Sequence, residues 1–559
     1  MIASLALVVL SIPAHLSTVG TQSAADTAVR AILDGEFPSV VPMWDLNRWR
    51  EPLEQLYAEQ AFVPLWYRKG RLTEAGQALV EQLQVVDQRG LLLADYDGPQ
   101  LAHLTRDFDQ ERSATARDMA SLDVALSIVA ARLASDLHQG RVEPGRVGHE
   151  LDVQRTAFDA AAAVAALATS RDVEAALDAL EPPLRHYALL KTALGRYRIL
   201  ARQPQLTQLP ALPRLGVHPG EIYEGAAALR RLLTALGDFP ATVPGQDVAA
   251  SVLDPMLVAA LANFQSRNGL DADGILGHET HRALTTPIEA RVQQIELSLE
   301  RLRWLPAKLE TPPIIVNIPQ FRLFAFRTTR DDAKDILQMN VIVGSAFKGR
   351  QTPVFAADMR YVVLNPYWDV PRSILVKELL PHIQANPAWL AENDYEMVLG
   401  QSDEAIPQPA DAGHVRLLVE GELRLRQKPG PKNALGQVKF IFPNQYNVYL
   451  HDTPARNLFA KSRRAFSHGC IRVSDPMALL AHVLRDDPQW TSDRIAEYLR
   501  AGAPVRVPLS EPVRVFIVYG TALATEAGQT LFFDDIYDQD APLSALLASR
   551  RERLQAPRS

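Results

Sequence analysis

The spacing of apolar residues changes at Pro313, and no other feature restricts the fold of this chain as strongly. Ahead of that proline the period is helical. Apolar side chains recur at helical spacing through residues 122–133, residues 158–180 are Ala-rich and lightly charged, and Ile288, Val292, Ile295, Leu299 and Leu302 follow at alternating four- and three-residue steps. The last series puts one apolar stripe on a helix that stops at Trp304-Leu305-Pro306, a rigid connector lying across another domain. Beyond Pro313 the period becomes two. Ile314-Ile-Val-Asn-Ile318 and Phe321-Arg-Leu-Phe-Ala-Phe326 flank a turn at Pro319-Gln320, and residues 341–343, 361–364, 446–450 and 513–518 supply further strands. The expectation is a multidomain α+β chain, helical first and β-rich after.

Punctuation sets the boundaries. A Pro-rich stretch at residues 203–219 separates a helical region, residues 26–215, from a small module at residues 216–287. Within the module, residues 226–236 and 254–268 are helical in pattern, the second opened by Asp254 as a cap and Pro255 in the first turn. Asp271-Ala-Asp273-Gly274 resembles the start of a calcium loop, but no downstream ligands follow at the required spacing, so a turn is expected. A connector helix at 288–310, a sheet domain at 311–545 and a tail at 546–559 complete the chain. Inside the sheet domain, residues 371–436 turn helical and then irregular. A segment this long within a sheet is expected to be a helical and looped lid or substrate-binding subdomain, spanning about residues 374–435.

Composition narrows the function. With 559 residues, 47% of them hydrophobic, several real cores are available, and a net charge of −7 argues against a general nucleic-acid binder. Residues 1–14 form an apolar run too short to span a bilayer, followed by small and polar residues through Ala25, the profile of an export signal at residues 1–25. It departs from that profile in having no Lys or Arg before Arg30. No other run approaches membrane length, and a single cysteine permits no intrachain disulfide.

That cysteine is the centre of the chemistry. A lone Cys is more often a small buried hydrophobe than a nucleophile, but Ser467-His468-Gly469 precedes Cys470, and on an extended segment His468 and Cys470 project to one face. Gly469 admits a substrate backbone closely and lets consecutive N–H groups face an oxyanion. His451 ends the apolar run Val448-Tyr449-Leu450, far enough ahead for a strand, a loop and a returning strand. An imidazole neighbour makes a thiol nucleophilic near neutral pH. Zinc held by His451, His468 and Cys470 is the weaker alternative, since no second cysteine supplies a paired ligand; no cofactor or metal is expected. Phe62-Val-Pro-Leu-Trp-Tyr67 and residues 90–96 are distinctive, and their aromatics are expected in a core.

His451-Asp452-Thr453-Pro454 followed by Ser467-His468-Gly469-Cys470-Ile471-Arg472-Val473 resembles the signature of the L,D-transpeptidases, cysteine enzymes that cross-link bacterial peptidoglycan. Val316-Asn317-Ile318-Pro319, Gln351-Thr352-Pro353-Val354, Asn365-Pro366-Tyr367-Trp368 and residues 427–436 agree with it, and the likeness covers most of the chain after about residue 220. The resemblance implies a helical scaffold, a three-helix peptidoglycan-binding domain and a β-rich catalytic domain. It implies Cys470 as nucleophile, His451 as base oriented by the Asp452 backbone, and His468 with the Gly469 and Cys470 N–H groups at the oxyanion. Arg472, Ser467, Tyr449 and Trp368 are the expected substrate contacts, with ordinary packing as the alternative for the two aromatics. Partners are donor and acceptor stem peptides, with other cell-wall synthases as further candidates, in the periplasm, with no nucleic acid and no membrane span. An L,D-carboxypeptidase or endopeptidase on the same stems, or an idle peptidoglycan-binding scaffold, are the competing readings; an intact Cys470 and both histidines argue against the last.

Overall fold

The computed structural model describes residues 24–35, 43–68, 71–110, 115–151, 158–213, 215–239, 251–329, 336–402 and 404–555. Residues 1–23, nearly all of the expected export segment, lie outside them. Among the described residues no helix is long and apolar enough to cross a membrane.

The N-terminal region is built on the helix Ala116–Gln139, opened by a reciprocal cap between Thr115 and Asp118. Every residue from Leu122 to Leu137 is buried, because the helices Ala24–Asp34, Met43–Glu59 and Ala160–Thr169 pack around it. Its buried Asp123 accepts the backbone N–H groups of Leu65, Trp66 and Tyr67 and the Tyr57 hydroxyl, although burial still raises its pKa to about 6. Trp66 and Tyr96 are core residues with no exposed surface.

The module carries the helices Ala226–Leu236, Pro255–Arg267 and His278–Thr285. Asp254 caps the second by accepting the Met256 and Leu257 N–H groups. The Gln265 amide bridges to Asp273, Ile275, Thr280 and Gly274, so the acidic segment at 271–274 is a turn whose Asp273 carboxylate is already engaged.

The connector helix Ile288–Leu302 is buried beyond its apolar stripe. Glu300 accepts the N–H groups of Arg141 and Val142 and meets Arg303 at 3.1 Å. Burial works to raise the Glu300 carboxyl, but Arg141 and Arg303 hold it below its ordinary value. Residues 546–555, expected as a tail, instead continue the helix Asp540–Gln555. Leu543 and Leu547 pack with Val142, Leu297 and Trp304, and Arg550 reaches Asp136 of the N-terminal region at 2.7 Å.

The main sheet closes on itself. Val438–Ile441, Leu450–His451, Ile471–Val473, Leu337–Gly344, Arg322–Ala325, Ile314–Asn317, Val505–Val518 and Val354–Leu364 follow in order, and the last pairs back with the first. The short strand His149–Glu150 from the N-terminal region joins Val354–Leu364 in parallel. Residues 446–449, expected as strand, form a turn, because the Asn444 side chain takes the Tyr446 and Val448 N–H groups and Asn447 sits at φ +53°. Strand begins only at Leu450.

The insertion holds more strand than expected. Ile406–Gln408, Tyr395–Leu399, Arg424–Gln427 and Trp368–Asp369 form a four-stranded antiparallel sheet, over which the helices Leu380–Ala385, Trp389–Glu392 and Ala412–Glu420 build a separate core around Leu375, Ile383, Met397 and Leu418.

Candidate active site

Cys470 lies between two strands, Ala465–Ser467 and Ile471–Val473, in a reversal made possible by Gly469 at φ +124°. Side chains hold that reversal from both sides. The Ser467 hydroxyl donates to the Cys470 carbonyl at 2.5 Å and accepts the Gly469 N–H at 3.1 Å. The Thr352 hydroxyl donates to the Gly469 carbonyl at 2.7 Å and accepts the Gly344 N–H at 2.8 Å. Tyr537 then donates to the Gly344 carbonyl at 2.5 Å and accepts the Thr352 N–H at 3.2 Å. The turn that carries Cys470 is therefore tied to the C-terminal segment.

Two expectations fall with this geometry. His468 and Cys470 do not share a face of an extended strand, because the backbone reverses at Gly469. The exposed His468 ring instead meets Glu378 of the insertion at 2.7 Å, and Glu378 also takes Arg350 at 2.9 Å. The Gly469 N–H is engaged by Ser467, which is itself buried and spent on the turn rather than open to substrate.

His451 arrives by strand pairing. Leu450–His451 runs parallel to Ile471–Val473, with His451 opposite Arg472 and the Ile471 N–H donating to the Tyr449 carbonyl at 3.1 Å. The His451 ring is buried, and its Nδ1–H donates to the Asp452 carbonyl at 2.6 Å, which leaves Nε2 as the acceptor nitrogen. Asp452 is fixed in turn. Its carboxylate accepts the Gln437 N–H at 2.9 Å and an Arg456 N–H at 3.1 Å.

The thiol faces the turn at 446–449. Its Sγ donates to the Asn447 carbonyl at 3.7 Å, and the Tyr449 hydroxyl and backbone N–H also lie against it. Trp368 lies near the Tyr449 hydroxyl, and Tyr449 packs against the His451 ring with centroids 5.6 Å apart. Lys439 lies 4.0 Å over the Tyr449 ring, and the Arg472 Nε is buried without a partner. Tyr449, Lys439 and Arg472 thus lie around the thiol, with Trp368 behind Tyr449.

Electrostatics set the resting protonation. Burial raises the Cys470 thiol above its ordinary value, outweighing Tyr449, Lys439 and Arg472, which favour thiolate. Burial, reinforced by Arg472, lowers the His451 imidazole to about 3. Both shifts favour the uncharged forms, a thiol and a neutral imidazole. Among the described residues no three His, Cys, Asp or Glu side chains are grouped to hold a metal ion.

Thr352, Glu378, Asn447 and Tyr537 were not legible as site residues. Thr352 stood inside a motif, Gln351-Thr352-Pro353-Val354, and that was the one available signal.

Residues 312–507 match the family model for the L,D-transpeptidase catalytic domain, residues 223–284 that of a "Putative peptidoglycan binding domain", and residues 51–194 that of a scaffold domain. The "Putative L,D-transpeptidase" of Haemophilus influenzae is 33% identical over 252 residues, covering 45% of this chain and 49% of that protein. The chain thus spans about half the length of that relative. Its C-terminal domain belongs to the L,D-transpeptidase catalytic domains, joined here to a peptidoglycan-binding module and a helical scaffold.

Proposed function

We propose that the chain is a periplasmic cysteine acyltransferase that forms 3→3 cross-links between peptidoglycan stem peptides. One observation carries the reading: the only thiol directly precedes a strand paired in parallel with the strand that ends in a buried, neutral histidine pinned through Nδ1.

His451 Nε2 takes the Cys470 proton as sulfur attacks the carbonyl of the third residue of a donor stem. The C–N bond to the terminal D-Ala breaks, the imidazolium returns the proton to the departing amine, and a thioester remains on Cys470. The amine of a second stem then attacks the thioester, gives a proton to His451, and forms the new amide as the sulfur leaves and is reprotonated. Because the resting thiol is neutral, proton removal accompanies attack instead of preceding it. The Cys470 N–H and His468 serve the oxyanion, and Arg472, with its unpartnered Nε, holds a substrate oxygen. Trp368 and Tyr449 form the pocket wall.

Mass spectrometry of purified cell wall incubated with the protein tests this. New 3→3 dimers appear with the parent chain and vanish with Cys470→Ser, a far weaker nucleophile in the same fold. Shortened stems without dimers would mean that water is the acceptor and the enzyme a carboxypeptidase. A carbapenem adds its mass once per chain at Cys470, and Cys470→Ser takes up none.

A further inference from the structure

The two-residue strand His149–Glu150 lies in the matched scaffold region but is built into the sheet of the catalytic domain, and both of its side chains lead toward Cys470. It pairs with Val354 and Phe355, just after the Thr352 whose hydroxyl holds the Gly469 carbonyl. Leu151 follows it onto the core of the sheet. None of the three takes part in the chemistry proposed above.

The two side chains take different routes. His149 is buried, and its Nε2–H donates to the Gln539 Oε1 at 2.8 Å. The Gln539 N–H donates to Asp535, which also accepts the Tyr519 hydroxyl. Tyr519 in turn accepts the N–H of Tyr537, the residue bonded to Gly344 and Thr352 behind the Cys470 turn. Glu150, the next residue along the strand, accepts the side-chain amide of Gln445. Its carboxylate also lies against Tyr446 and, together with burial as the larger cause, pushes that hydroxyl up to about 12. Phe355, opposite Glu150 in register, packs on the Tyr446 ring with centroids 5.1 Å apart. Gln445 and Tyr446 belong to the turn that follows Asn444, and the next carbonyl along, that of Asn447, accepts the Cys470 Sγ at 3.7 Å.

We infer that Glu150 is a positioning residue for acyl transfer: by holding Gln445 and Tyr446 it sets the turn that faces the thiol, so the scaffold region completes one wall of the Cys470 site. This rests on the reading that Cys470 is the nucleophile.

Full-length Glu150→Ala tests it, with turnover counted per reactive thiol. Glu150 is exposed and contributes little to stability, so the variant should melt within a few degrees of the parent. A loosened turn should lower kcat about three- to tenfold with KM changed less than about twofold, because the thiol is misplaced while the substrate contacts remain. Iodoacetamide alkylation at pH 7 should move the other way and rise about threefold, since a turn that draws back lets water reach the thiol whose pKa burial now raises. Glu150→Gln keeps an acceptor for Gln445 and should restore both rates. Gln445→Ala should reproduce the Glu150→Ala changes, and the double variant should lose no more than either single one. Unchanged kcat and alkylation in a folded Glu150→Ala chain would overturn the proposal, as would additive losses in the double variant or a Gln variant as impaired as the Ala one. A parent that makes no cross-links while its thiol still responds to Glu150→Ala would instead sink the transfer mechanism and leave the positioning of Cys470 standing.

Discussion

His451 gives its Nδ1 proton to the main-chain carbonyl of Asp452 at 2.6 Å, so the nitrogen free to accept a proton is Nε2. With the imidazole held at about 3 and the thiol raised by burial, neither group titrates between pH 5 and 8. Alkylation of Cys470 by iodoacetamide should therefore climb steadily with pH across that range, with no inflection near the ordinary imidazole value. A plateau above an inflection at pH 6 to 7 would show a resting thiolate–imidazolium pair and refute the neutral one.

The same burial makes His451 a liability in acid. Its pKa is about 3 folded against 6.5 as the ordinary value, so below pH 6.5 the unfolded chain binds a proton that the folded chain refuses. Its contribution to stability is intact above pH 6.5 and is lost as pH falls toward 3. Relative to His451→Gln, the parent should lose about 3 kcal/mol between pH 7 and pH 4. Urea midpoints of both proteins at the two pH values measure it, and equal losses would mean the ring is not desolvated.

Where the chain repeats a simple period, the fold was legible, and where one side chain overrides the backbone it was not. The stripe from Ile288 to Leu302 and the alternation after Pro313 became the connector and the sheet because burial on one face enforces them. Residues 446–449 looked like strand, but Asn444 competes for their N–H groups. The strand Arg424–Gln427 was hidden by its charges: Arg426 is buried against Glu396 at 2.7 Å and over the Tyr367 ring. Cys470 and His451 stood out by residue type and spacing. Thr352 did not, since its partner Gly469 is 117 residues away.

Thr352 should matter to turnover more than to binding. Thr352→Val keeps the shape and removes the hydroxyl that ties the Gly344 N–H to the Gly469 carbonyl, leaving both without it. A loss of about 1–3 kcal/mol in stability is expected. Displacing the nucleophile turn should also cut kcat about tenfold or more with KM little changed, and Thr352→Ser should restore it. An unaltered kcat in the Val variant would show that the turn holds without this bridge.

Gly436 tests how His451 is held from behind. It sits at φ +59°, and a Cβ there would overlap the Asp452 carboxylate. Gly436→Ala should therefore displace Asp452, whose carbonyl fixes the His451 ring, at a cost of about 1–3 kcal/mol. Thermal melting reads the stability loss, and a parallel fall in kcat reads the misplaced base. Lowered stability with full kcat would mean that Asp452 moves without taking the ring with it.

Glu378 joins the insertion to His468, two places before Cys470. Its carboxylate takes His468 at 2.7 Å and Arg350 at 2.9 Å, and all three side chains are between 32% and 39% exposed. An ion pair that wet contributes little to stability, so Glu378→Gln should melt within a few degrees of the parent. Its consequence lies in position. On the proposed mechanism, His468 loosened from Glu378 no longer holds one orientation beside the reacting carbonyl, so turnover should fall about tenfold while iodoacetamide alkylation of Cys470 stays at the parental rate. Measuring both on one preparation separates an oriented His468 from a damaged thiol site. Equal losses in the two rates would place the effect on Cys470 itself, and no loss in either would mean that the contact between the insertion and His468 is packing alone.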